Sequence, residues 1–98
     1  MKPNVLLIVM DSVRAANTSL YGYENETTPF LEELGQSATV YEQARAPASW
    51  SLPSHTSLFT GYHVAEHGII EPDHRLEAGH TIFEELQDAG YSTGVFSE

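Results

Sequence analysis

Three residues carry side chains whose types and positions could do chemistry: Asp11, Ser51 and His55. Asp11 closes an apolar run. It therefore stands at the carboxyl end of an expected strand, where open α/β sheets bind ligands. A carboxylate there can hold a divalent cation through oxygen. It can equally cap the loop by accepting nearby backbone amides. Ser51 lies in the stretch Trp50-Ser51-Leu52-Pro53-Ser54-His55. With Pro53 as the first helical residue, Ser51 is near the N-cap, where unbonded N–H groups and the positive dipole end attract anions. Its hydroxyl could attack an anionic ester once a metal or a base activated it; a plain capping serine is the competing reading. His55 falls inside the same helix and could reach back to a bound anion as donor or proton carrier, or serve packing alone.

The remaining histidines, His63, His67, His74 and His80, are scattered through expected loop and helix start. The spacing His63-x-x-x-His67 suits a zinc-binding helix, but the rest of a zinc signature is missing. Trp50, Tyr62 and Tyr91 read as packing residues.

These side chains need elements to position them. Residues 4 to 10, "NVLLIVM", form a continuous apolar run of the kind found in a central parallel strand buried on both faces. Residues 12 to 27 are polar and read as a loop with room for a helical turn. Thr28-Pro29 opens a helix, Thr28 as cap and Pro29 in the first position, with Phe30, Leu31 and Leu34 on its apolar face and an end near Gly35. "ATVYEQ" at 38 to 43 reads as a strand, and 44 to 50 as a loop. A second helix spans 53 to 60 and ends at Gly61. Residues 62 to 79 are irregular. A third helix covers about 81 to 89, with Ile82, Phe83 and Leu86 on one face and Gly90 at its cap. "YSTGVFS" at 91 to 97 reads as a last strand. The alternation implies an α/β fold with a mostly parallel sheet and flanking helices. So few strands make this the first part of a larger domain, its open sheet edge available for pairing with a second copy.

Composition sets outer limits. The chain has 98 residues and a formal net charge of −10, with 14 acidic residues against four basic ones. That argues against a nucleic-acid partner, because phosphate backbones need basic patches. The acidity reads either as an ordinary soluble surface or as adaptation to high salt, which screens self-repulsion. No cysteine is present, so disulfides and thiolate metal sites are excluded. No apolar stretch is long enough to span a bilayer, and the start lacks signal-peptide features, so the expectation is a cytoplasmic protein.

The pieces "PNVLLIVMDS" (3–12), "TTPFLEEL" (27–34), "SLPSHTSLFTG" (51–61), "EHG" (66–68) and "TIFEELQDAGYSTGVFS" (81–97) occur in an order that resembles the N-terminal portion of the sulfatase family, within the alkaline-phosphatase-like group. The resemblance covers essentially the whole chain, residues 1–98, as one partial domain. It implies that Asp11 is a metal ligand and that Ser51 is the nucleophile, or the precursor of a formylglycine whose hydrate attacks sulfur. It further implies a divalent cation, calcium or magnesium, held in part by Asp11 and Ser51, and a small-molecule sulfate ester as substrate.

The sequence departs from the family pattern at three places. Ser12 stands where a second aspartate is common. His55 replaces the motif arginine, and a histidine does not reproduce the fixed guanidinium fork; the formylglycine maturation motif is thereby altered. Glu98 stands near the position of a catalytic lysine. These departures resemble relatives that keep an unmodified Ser or Thr and act on phosphate esters, as phosphodiesterases or phosphoglycerol and phosphoethanolamine transferases do, with manganese or zinc. Because further family metal ligands fall beyond residue 98, the chain by itself is expected to have little or no activity. An inactive remnant is the third reading.

Overall fold

The computed structural model describes residues 2–97. Glu98, weighed above as a replacement for lysine, lies outside the described residues. The chain divides into two compact units, Met1–Ala44 and Arg45–Glu98.

In the first unit, residues 4 to 10 form neither helix nor strand ladder. Leu6 is 84% and Ile8 73% exposed, the reverse of a buried central strand. Segments 38–43 and 91–97 also carry no strand ladder. Among the described residues there is no sheet, and the expected α/β architecture with its parallel sheet and open edge is overturned. The physical reason is that β-structure is not local. Apolar, β-branched composition suits a pleated surface, but a strand exists only where a second segment takes up its N–H and C=O groups.

Polar residues 12–27 do supply helical turns, two single 3₁₀ turns at Ala15–Asn17 and Ser19–Tyr21. Thr18, between them, is buried, and its hydroxyl donates to the Ala15 carbonyl at 2.7 Å. Helix α1 runs Pro29–Gly35 with proline in the first turn as expected. Thr28, however, does not cap it. Its Oγ1 instead accepts the Leu20 N–H at 3.0 Å, tying the 3₁₀ turn to the helix start. The Ser19 hydroxyl adds a bond to the Glu32 carboxylate at 2.9 Å.

In the second unit, α2 spans Ser51–Thr60, α3 Val64–His67 and α4 Ile82–Asp88. Helix α4 is delimited by its own local chemistry. Thr81 Oγ1 accepts the Glu84 N–H, and the Glu84 carboxylate accepts the Thr81 N–H at 3.0 Å, a reciprocal capping box. At the other end, Gly90 N–H bonds Gln87 O at 2.9 Å and Tyr91 N–H bonds Leu86 O at 3.0 Å, the pair of bonds that defines a Schellman motif. Gly90 adopts φ 93°, which a side chain would strain. Phe83 of α4 meets Phe59 of α2 with ring centroids 5.1 Å apart, and this contact anchors the two helices to each other.

Glu84 offers a pH-dependent test of this cap. The Gly79 N–H, the Thr81 hydroxyl at 2.7 Å and the Thr81 N–H hold its carboxyl below the usual glutamate range, the Gly79 bond acting most strongly. A lowered folded-state pKa contributes stability that is present above the unfolded value and lost as pH falls through the folded one. The melting temperature of the wild type should therefore exceed that of Glu84→Gln at pH 7. The gap should narrow as pH falls from the ordinary glutamate range through the lowered folded-state value, and a gap that does not change with pH would remove charge from the account.

Candidate active site

The two lead residues of the second unit share one helix. Ser51 is the first residue of α2, with Trp50 as the extended residue before it. Pro53 is thus the third helical residue rather than the first, and Ser51 is inside the helix rather than at its cap. Proline is tolerated there because the opening N–H groups of a helix have no internal acceptor to lose. Pro53 is fully buried and pins the first turn. Ser54 N–H closes the first internal bond on Trp50 O at 3.4 Å, so the amides of Ser51 and Leu52 precede it at the positive end of the helix.

His55 lies one turn further on, on the side of Ser51, since residues four apart share a helix face. Its ring stacks on Phe59 at 6.0 Å between centroids and 23° between planes. Phe59 is in turn held by Phe83. The imidazole is therefore oriented by a column of aromatic rings, and both Ser51 and His55 are half-buried. Helix α2 ends at Gly61, whose N–H bonds Ser57 O at 2.8 Å.

Asp11 belongs to the first unit. It is exposed and sits in a turn with Ser12, whose φ of 59° places a non-glycine residue in the left-handed region. Such a conformation is uncommon outside glycine, and short polar residues tolerate it best. The apolar run thus ends in a sharp turn at the carboxylate singled out from sequence. Asp11 offers a hard carboxylate oxygen, which suits calcium or magnesium better than a soft ion.

The other histidines have distinct settings. His67 has Nδ1 accepting the Ile69 N–H at 2.9 Å and Nε2 at 3.0 Å from Ser57 Oγ. Both nitrogens are engaged, which disposes of the His63/His67 zinc pair. Sequence reading missed the Ser57–His67 contact, since a ten-residue separation across Gly61 leaves no local signal. His80 Nδ1 is 3.2 Å from Tyr62 Oη, so Tyr62 is a hydrogen-bonding as well as a packing residue. His74 Nδ1 accepts the Ile70 N–H at 3.2 Å, and His74 groups with Glu71 and Asp73, their ligating atoms within 4.8 Å of one another. Both carboxylates of that group are exposed.

The sulfatase family model matches residues 3–98. The chain belongs to the sulfatase family. It is 31% identical over 96% of its length to an N-acetylgalactosamine-6-O-sulfatase of Bacteroides thetaiotaomicron. It is 32% identical over 95% of its length to arylsulfatase A of Bos taurus, and 30% over 95% to an arylsulfatase of Clostridium perfringens. In each case it spans 20% of the relative's length. No solved structure matches the sulfatase chain. No helix among its described residues is long and apolar enough to cross a membrane.

Proposed function

We propose that the protein carrying this sulfatase segment hydrolyses a small sulfate ester, with Ser51 as nucleophile or as the precursor of a formylglycine. What supports the reading most is Ser51 as the first residue of α2, within a chain matched by the family model almost end to end. A nucleophile at a helix start meets its anionic ester where backbone amides already favour negative charge. Asp11 would supply a carboxylate oxygen to a divalent cation, calcium or magnesium. When bound, that cation neutralises charge on the ester oxygens. His55, set by the Phe59 stack, takes the place of a fixed guanidinium and can donate a hydrogen bond to the ester group or carry a proton for the leaving oxygen.

A second reading keeps the same site but a phosphate ester, with Ser51 unmodified and manganese or zinc as the ion. His55 in the arginine position and Ser12 in the position of a second aspartate favour it. Two measurements on the intact protein separate the readings. Turnover of 4-nitrophenyl sulfate against bis(4-nitrophenyl) phosphate, with calcium, magnesium, manganese and zinc in turn, should favour the sulfate. The mass of the peptide containing Ser51 should fall by two hydrogens if formylglycine forms. An unshifted peptide together with preferred turnover of the phosphodiester would replace the first reading by the second.

A further inference from the structure

We propose that His67 is a positioning residue for α2, a ring tied to Ser57 on one side and to the Ile69 backbone on the other. The proposal rests on the reading of Ser51 as the reacting residue. Its carrying observation is the direction of the two hydrogen bonds. The Ile69 N–H donates to His67 Nδ1 at 2.9 Å, so Nδ1 bears no hydrogen. A neutral imidazole then carries its one proton on Nε2, and Nε2–H donates to Ser57 Oγ at 3.0 Å. The serine is the acceptor. This is the opposite sense from a nucleophile–base pair, in which the histidine nitrogen must take the hydroxyl proton. Ser57 and His67 therefore form a structural tie rather than a second catalytic pair.

The tie has leverage because both ends are fixed. Ser57 is 9% and Ile69 7% exposed, each among the few buried residues of those described. Ser57 lies on the helix begun by Ser51, about 9 Å further along its axis. His67 closes α3, and Gly68 at φ 65° turns the chain so that Ile69 presents its N–H to the ring just passed. Losing the ring leaves the Ser57 oxygen and the Ile69 amide short of their partners, in a place water reaches poorly. The Phe59–Phe83 contact holds α2 from α4; the Ser57–His67 bond supplies a second restraint, against rotation about the helix axis. Rotation would move Ser51 and His55 together away from the ester without unfolding the helix.

The test uses the intact protein with 4-nitrophenyl sulfate and bis(4-nitrophenyl) phosphate as probes. His67→Ala and Ser57→Ala should each lower kcat about tenfold with KM changed less than about twofold. The double variant should lose little more than either alone, as two members of one bond do. His67→Gln, whose amide N–H can stand in for Nε2–H, should recover most of the kcat. Losses in melting temperature with kcat unchanged, or fully additive losses, overturn the proposal. A ¹⁵N spectrum of the unmutated protein's histidine rings decides independently of how the variants fold. The proton should be on Nε2 of His67, and a proton on Nδ1 overturns the tie. Should Ser51→Ala retain activity, the reading of the site fails, while the ring spectrum and the coupling between Ser57 and His67 in melting temperature still judge the tie.

Discussion

Ser51→Ala in the intact protein should abolish turnover, by more than about 10⁴-fold in kcat, with the substrate still bound. A magnitude of that size separates a nucleophile from a residue that merely binds or caps. Loss of a helix cap costs about 1 kcal/mol of stability and leaves chemistry alone, and here Ser51 is not the cap at all, since Trp50 precedes the helix. Loss of a nucleophile removes the covalent route and leaves only what binding and electrostatics supply. Ser51→Cys and Ser51→Thr sharpen the result. Both keep a nucleophilic atom on Cβ, and cysteine is itself a formylglycine precursor in the family. Recovery by Ser51→Cys, with a peptide that has lost one sulfur and two hydrogens and gained one oxygen, has no meaning for an unmodified nucleophile, so mass and rate together report which chemistry the site runs. Turnover of Ser51→Ala within tenfold of wild type, on either the sulfate or the phosphodiester, would remove Ser51 from the mechanism.

Helix ends were legible because their signals are local. Pro29 marks α1, Gly61 stops α2, and the expected span of about 81 to 89 with Gly90 as its stop matches α4 to within a residue. The start of α2 was misplaced by two residues, because proline is admissible throughout a first turn and does not by itself say which position it fills. Strands at 4–10, 38–43 and 91–97 were misread because apolar periodicity reports what a segment prefers to face, not whether another segment is beside it. The site divides along the same line. Asp11, Ser51 and His55 were singled out by type and by their place near element ends, and the structure puts Asp11 in a turn and Ser51 with His55 on α2. The stack of His55 on Phe59 is an i, i+4 relation and could have been read from the helix. The dependence of Phe59 on Phe83, and of Ser57 on His67, joins separate elements, and nothing in the intervening residues encodes it.

Calcium or magnesium should raise the melting temperature of the intact protein, and Asp11→Ala should remove most of that rise. A ligand that binds only the folded state stabilises it by about 2.7 kcal/mol at a hundredfold excess over Kd, a shift of several degrees that is easily read. Asp11 is the one residue of its turn that brings a full negative charge. Asp11→Asn keeps an oxygen donor and loses the charge, so it should fall between alanine and wild type; equal losses for both variants would say that charge rather than coordination matters. Ser12 gives the opposite manipulation. Its left-handed φ of 59° suits aspartate at least as well as serine. Ser12→Asp can therefore add a second carboxylate without asking the backbone to move. It should shift half-saturation to lower metal concentration, and activity should need less metal in parallel. A metal-induced rise left intact in Asp11→Ala would take Asp11 out of the ligand set. If Ser12→Asp weakened binding as well, the turn at the end of the apolar run would not be where the cation sits.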